Sequence, residues 1–338
     1  MASGILFSVL TPVYNGAQYV SETIESVLKQ SLDGFEYIIV NDGSTDGTDS
    51  ILNYYASLDS RVRVITTVNE GVASARNTGL RSARGKYLFT IDSDDLCLPG
   101  RFKSQYELME ARKDVVVCGS LMKMFGNDFV SYSSQATDND SIRATMLFRP
   151  SIANSTSCVR MSYIHKNDIR YDESFVCAED FDFWAKIAND DKALFCNIGM
   201  PLVAYRVHQG SLTRSKKQAM HGFASIVRKS QLLRVGLEAT NQEIELHSLI
   251  SDEESINDRE QLYLVGEWLH RILRSNAEYK AFAQNVLMKT VSRKFCKSFA
   301  NSSMTGPVVA WKFVSTRHLY RTISMRDSLV VMKKILGL

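Results

Sequence analysis

The sequence predicts an α/β protein built on a doubly wound, mostly parallel sheet with helices on both faces, followed by a helical C-terminal region. Three observations predict it. Short apolar runs alternate with helix-periodic stretches through the first hundred residues. Four of those runs end in polar, turn-forming tips. After about Ser211, glycines and turn signals thin out and long helical periods take over.

The elements follow in order. Residues 5–11 are continuously apolar, as a strand buried on both faces should be. Residues 19–29 place Val20, Ile24, Val27 and Leu28 at helical spacing. A second strand is expected at 37–40, and a helix at 48–56 with Ile51, Leu52 and Tyr55 on one face. A third strand at 62–66, a helix at 72–83 and a fourth strand at 87–91 complete the βαβαβαβ rhythm. Pro99 opens a helix to about Lys113, and 115–119 is a further strand. Residues 127–154 are polar and carry no assignable period. A helix at 178–189 has acidic residues in its first turn, where they suit the dipole. Residues 202–207 read as a last strand. Helices at 223–237, 258–274 and 278–299 fill the remainder, giving two expected domains, 1–213 and 214–338.

A chain of 338 residues with formal net charge +3 has room for a sizeable core, and its charge alone names no partner. The six cysteines are widely and irregularly spaced, with no CxxC pair. That favours free thiols in a reducing compartment over a zinc or redox centre. The N-terminus lacks a basic start and a cleavage site, and the apolar run at 5–13 is too short to span a bilayer. The expectation is a cytoplasmic chain. No GxxxxGK[ST] and no GxGxxG follows a strand, which disfavours a P-loop NTPase and a dinucleotide oxidoreductase.

In open α/β sheets, ligands gather outside the carboxyl ends of the strands. Those ends read Thr11-Pro12-Val13-Tyr14-Asn15-Gly16, Asn41-Asp42-Gly43-Ser44-Thr45-Asp46-Gly47, Asn69-Glu70-Gly71 leading to Ala75-Arg76-Asn77, and Asp92-Ser93-Asp94-Asp95. Residues two apart in a strand face the same way, so Asp92 and Asp94 are expected on one side. Carboxylates this close repel unless a cation joins them, and hard cations such as Mg²⁺ or Mn²⁺ take oxygen ligands. The same letters also spell turn chemistry, with Asp95 as a helix cap and Asp92 in an Asx-turn. The end of a buried strand favours the metal. Asp42, Gly43 and Gly47 suit an anion or ribose site, or a plain turn capped by Thr45 or Asp46.

Taken together, these pieces resemble the family 2 glycosyltransferases, inverting enzymes of the GT-A fold. The resemblance rests on Ser8 to Asn15, Val40 to Thr48, Asn69-Glu70-Gly71 with Ala75 to Gly79, and Gly85-Lys86-Tyr87-Leu88 running into the acidic cluster. Glu179-Asp180 before Trp184, and Tyr205-Arg206-Val207-His208 before Ser211, extend it over roughly the first 210 residues. It implies a nucleotide-sugar site made of Pro12, Tyr14, Asp42, Arg76, Asp92 and Ser93. Pro12 and Tyr14 would lie against the base, Asp42 would accept from a ring such as uracil, and Arg76 would sit near base or diphosphate. Asp94, with Asp92 and His208, would hold Mn²⁺ or Mg²⁺. Asp180 would be the base that deprotonates the acceptor hydroxyl. One base without a second flanking carboxylate suits direct displacement with inversion. Glu179 and Asp180 also suit a helix dipole, and Phe181 and Trp184 suit packing.

The resemblance further implies a nucleotide-diphosphate donor, UDP before GDP or dTDP, and a glycan or lipid-linked acceptor of cell-envelope polysaccharide synthesis. Between Tyr279 and Arg326 there is no Asp or Glu, while lysines and arginines alternate with aromatic and apolar residues. Such a segment suits peripheral contact with an anionic membrane at the inner face, an anionic acceptor, or a helical subdomain with a basic side. No nucleic-acid motif accompanies the charge. A nucleotidyltransferase would carry a glycine-rich basic loop after the first strand, where Thr11-Pro12-Val13-Tyr14-Asn15 stands instead. A non-catalytic relative would have lost the acidic cluster or Asp180.

Overall fold

The computed structural model describes residues 5–126, 129–208, 217–256 and 258–301. The expected domain boundary at 213, Ser211 and the basic stretch beyond residue 301 lie outside them. The chain divides into two compact units, residues 1–142 with 150–220, and residues 143–149 with 221–338.

The first unit begins β1 (Phe7–Val13), α1 (Val20–Leu28), β2 (Phe35–Asp42), α2 (Thr48–Leu58), β3 (Val62–Thr67), α3 (Val72–Ser82) and β4 (Tyr87–Thr90). It continues with β5 (Leu96–Cys97), α4 (Arg101–Ala111), β6 (Val115–Phe125), β7 (Val130–Tyr132), α5 (Asn139–Met146), a 3₁₀ turn (Asn154–Thr156), β8 (Cys158–Arg160), α6 (Met161–Lys166), α7 (Glu179–Ala188) and β9 (Leu194–Arg206). The strands form one sheet in the order β3-β2-β1-β4-β8-β6-β9-β5, with β7 on β6. The long ladders β1–β2, β2–β3 and β6–β9 are parallel, and β1–β4 is too. Short antiparallel ladders join β8 to β4 and β6, β5 to β9, and β7 to β6. The doubly wound α/β class is thus the one the sequence predicts.

Every residue of β1 and β2 is buried, which is why both are mostly apolar, with the buried Ser8 hydroxyl donated to Glu36 at 2.7 Å. Alternation sorts their side chains onto two faces. Phe7, Val9 and Val13 share a core with Ile24 and Val27 of α1 and Phe102 and Met109 of α4. Leu10 points the other way, against α3. A Cβ at Gly79 would fall 2.1 Å from Leu10 Cδ1, so this approach requires glycine. Helices therefore cover both faces.

Strands β6 and β9 run longer than their apolar stretches suggest. The ladder between them shifts register at Ser120/Leu121 and Leu121/Met122, which absorbs the Gly199-Met200-Pro201 interruption. The unassigned stretch 127–154 holds β7, α5 and the start of the 3₁₀ turn. All six cysteines are free thiols.

The second unit is helical: α8 (Lys217–Arg234), α9 (Asn241–Ser251), α10 (Arg259–Tyr279) and α11 (Gln284–Ala300). Its core joins Leu147 and Phe148 to Leu232, Trp268, Ile272 and Phe295. Helix α9, absent from the sequence expectation, starts with a capping box between Thr240 and Glu243. Buried His247 accepts from Trp268 Nε1–H at 3.0 Å and faces Leu147 O through Nε2 at 2.8 Å. Burial pushes its imidazole down to about 3. Among the described residues no helix is long and apolar enough to cross a membrane.

Candidate active site

The strand tips of the first unit converge on one cavity of about 980 Å³. Its wall includes Pro12, Tyr14, Asp42, Arg76, Asp92, Ser93, Asp94 and His208. This is the carboxyl edge of the sheet, where an open α/β fold leaves room for a ligand.

The first two tips are braced against each other. Asn15 takes a left-handed conformation, φ 50°. Its side-chain carbonyl accepts the Thr45 N–H at 2.8 Å, and its own N–H is donated to Ser44 Oγ at 3.0 Å. Gly16 N–H reaches Thr48 Oγ1 at 2.9 Å, and Ala17 N–H reaches Asp46 Oδ2 at 3.2 Å. Asp42, buried at the end of β2, accepts the Glu70 N–H at 3.0 Å and the Gly71 N–H at 2.9 Å. One carboxylate thus fastens the loop that enters α3, with lone pairs left over for a ligand. Tyr14 is half exposed at the rim.

The acidic loop departs from the sequence expectation. Strand β4 stops at Thr90 and the chain turns, Asp95 N–H bonding to Asp92 O at 3.2 Å, so strand alternation does not reach Asp92 and Asp94. The two carboxylates take different partners. Asp92 Oδ1 accepts from Arg76 Nη2 at 2.9 Å and from Asn154 Nδ2 at 3.3 Å, and Oδ2 accepts from Ser155 Oγ at 2.9 Å. Asp94 Oδ2 lies 2.9 Å from His208 Nε2. Burial, then the charge of Asp92, holds the Asp94 carboxyl above the usual range, with His208 opposing. Burial, then Asp94 and Asp92, pushes Asp95 well above it. Ser93 contributes its carbonyl to Thr23 Oγ1–H at 2.9 Å.

Arg206 holds this loop to β9. Its N–H is donated to Asp95 Oδ1 at 2.9 Å, its Nε–H to Asp94 O at 3.0 Å, and Nη2 to Glu22 at 2.9 Å. The guanidinium lies over Tyr19 at 4.5 Å and Phe125 at 4.8 Å, and Tyr19 packs against His208. The last residues of β9 and the two beyond it therefore set the Asp94–His208 pair.

Asp180 is the site residue that does not line the cavity. It opens α7 beside Glu179, after Ala178 in a left-handed turn, φ 58°. Glu179 is buried and pairs with Arg76 Nη1. Asp180 Oδ1 accepts the Phe181 N–H at 2.7 Å. Burial raises its carboxyl above the usual range, and the nearby Arg76 charge opposes that rise. Phe181 and Trp184 are fully buried.

Sequence reasoning missed Asn154, Ser155, Glu179 and Arg206 as parts of the site. Asn154 ends the stretch without a readable period, and Ser155 follows it directly. Glu179 and Arg206 stand in the stretches that carry the resemblance but receive no site role from it; only their contacts reveal one.

Residues 8–171 match the family model described as Glycosyl transferase family 2. An uncharacterised glycosyltransferase of Haemophilus influenzae is 30% identical over 224 residues, 62% of this chain and 68% of that relative. The chain belongs to glycosyl transferase family 2. A second relative, the uncharacterised glycosyltransferase EpsJ of Bacillus subtilis, is 42% identical over 115 residues, where this chain spans only 33% of the relative's length. Among solved structures, S. aureus TarS 1-349 in complex with UDP-GlcNAc superposes with a TM-score of 0.58 at 19% identity, covering 98% of this chain and 92% of that one. The match shows the same fold for this glycosyltransferase.

Proposed function

We propose that the glycosyltransferase moves a sugar from a nucleoside-diphosphate donor to an acceptor hydroxyl, with inversion at the anomeric carbon. The observation that carries this reading is the convergence of four strand tips on one cavity, with Arg76 and Asp42 on its wall and the Asp94–His208 pair 2.9 Å apart. Pro12, Tyr14 and Asp42 form the base end, and Ser93 and Asp92 the ribose end. UDP is the first donor class to test, since TarS, which has the same fold, was solved in complex with UDP-GlcNAc.

Among the described residues no three carboxylate, imidazole or thiol groups are placed to hold a metal, so the Asp94–His208 pair offers two ligands to a divalent cation such as Mn²⁺ or Mg²⁺ that takes its others from donor phosphates and water. Asp94 and His208 would hold it, and it would stabilise negative charge on the departing diphosphate. Asp92 orients Arg76 rather than competing for that role. Asp180 accepts the proton of the acceptor hydroxyl. The acceptor is a glycan or a lipid-linked saccharide of envelope polysaccharide synthesis, with the basic segment from residue 279 touching an anionic membrane surface. Transfer resides in the first unit, which contains the whole cavity wall, and the helical remainder forms a separate domain.

The test is thermal stabilisation by a panel of nucleoside diphosphates with and without Mn²⁺. A ligand held at 100 times its Kd adds about 2.7 kcal/mol to stability. A Mn²⁺-dependent shift with UDP that disappears in Asp94→Ala is expected. No shift with any diphosphate would overturn the reading.

A further inference from the structure

Arg76 is buried, and its guanidinium serves two carboxylates at once, Asp92 through Nη2 and Glu179 through Nη1. A third carboxylate, Asp180, is near enough to feel its charge. Glu179 and Asp180 are successive residues at the start of α7, so they leave the helix about 100° apart and compete for one cation. Glutamate, one methylene longer, makes the bond. Among the described residues no cation bonds the Asp180 carboxylate, whose Oδ1 takes the Phe181 N–H instead.

We propose that Glu179 is a positioning residue: it captures Arg76 and thereby leaves the Asp180 carboxylate free to take a proton from the acceptor. The inference rests on the transferase reading above. A carboxylate in a buried ion pair is a poor proton acceptor, because protonating it strands the partner charge. Of the two adjacent acids, whichever holds the guanidinium is lost as a base. Glu179 also fixes the second amino group of Arg76 on Asp92, so the cation is held away from Asp180. The Glu179-Asp180 pair therefore divides its labour: one acid binds the cation, the other handles the proton.

The experiment is a double-mutant cycle on the full chain with Mn²⁺. The donor is the nucleotide-sugar whose diphosphate gives the largest thermal shift, and the assay reads nucleotide release to water. The variants are Glu179→Ala, Glu179→Gln, Arg76→Gln and the Arg76→Gln combinations. Glu179→Ala should lower kcat by about tenfold or more, with the donor KM changed far less. Glu179→Gln should recover part of the loss, since its amide oxygen still accepts from Arg76. With Arg76→Gln already present, Glu179→Ala should cost little more, because no guanidinium remains to be diverted. An equal fractional loss in both backgrounds, or an undiminished kcat in Glu179→Ala, overturns the proposal. If Glu179→Ala does not melt cooperatively, the Glu179→Gln arm carries the same cycle. A wild-type chain that binds no diphosphate and releases no nucleotide removes the transferase reading, and this inference with it.

Discussion

Asp42→Asn tests the fastening of the β3–α3 loop. The side chain is buried, and its two oxygens accept the Glu70 and Gly71 amides at 3.0 and 2.9 Å. Asparagine keeps the shape but turns one oxygen into an NH₂, which then faces a backbone donor. One hydrogen bond to a charged acceptor, worth about 1.5–3 kcal/mol, is lost. The stranded N–H adds about 1–3 kcal/mol. The expected loss is therefore about 2.5–6 kcal/mol, or roughly 5–24 °C of melting temperature for a unit of this size. The same change loosens Glu70 and Gly71 on the cavity wall, so nucleotide affinity should fall alongside stability. Melting followed by circular dichroism, with and without UDP and Mn²⁺, measures both. A variant that melts within a degree of wild type would show that the loop is held by something other than this carboxylate.

Four further outcomes follow from particular contacts. Gly79→Ala should destabilise by about 1–3 kcal/mol despite alanine's better helix propensity, because its methyl meets Leu10; a more stable variant in urea titration would refute the close approach. Arg206→Ala should weaken Mn²⁺-dependent nucleotide binding more than metal-free binding, since it releases the Asp94 carbonyl and Glu22 while Asp95 keeps its bond from the backbone at 206; titration calorimetry separates the two. Asp180→Asn should retain donor affinity and lose transfer by about 10²–10⁴-fold, and wild-type rates would remove Asp180 as the base. His247 has a folded value of about 3 against 6.5 ordinarily, so the unfolded chain binds more protons between those limits. Its contribution is present above pH 6.5 and is lost as pH falls toward 3, and the acid slope of stability should shrink in His247→Gln.

The parallel half of the sheet was legible because β1 and β2 are buried on both faces and are mostly apolar. The strand tips were legible because asparagine, aspartate and glycine cluster directly after apolar runs there. What failed to show has physical reasons. The 127–154 stretch ends at Asn154, which with the adjacent Ser155 contacts Asp92, but contacts 62 and 63 residues away in sequence leave no local period. Residues 143–149 pack in the second unit although nothing in their composition separates them from their neighbours. The Asp92–Asp94 alternation assumed a strand that had already ended at Thr90. Helix α9 has a weak apolar stripe, and the Thr240–Glu243 box that starts it is visible only as one short pattern.

The bracing of the first two tips has an entropic consequence. Fixing a loop residue costs about 1–2 kcal/mol, and a flexible loop meets that cost when its ligand arrives. Here the bonds from Asn15, Gly16 and Ala17 to Ser44, Thr45, Asp46 and Thr48 settle it during folding. Differences in affinity among donors then report contacts rather than ordering. Neither tip can drift alone over evolutionary time: a change at Thr48 or Asp46 strands an amide at 16 or 17, so the two loops are free to vary only as a pair.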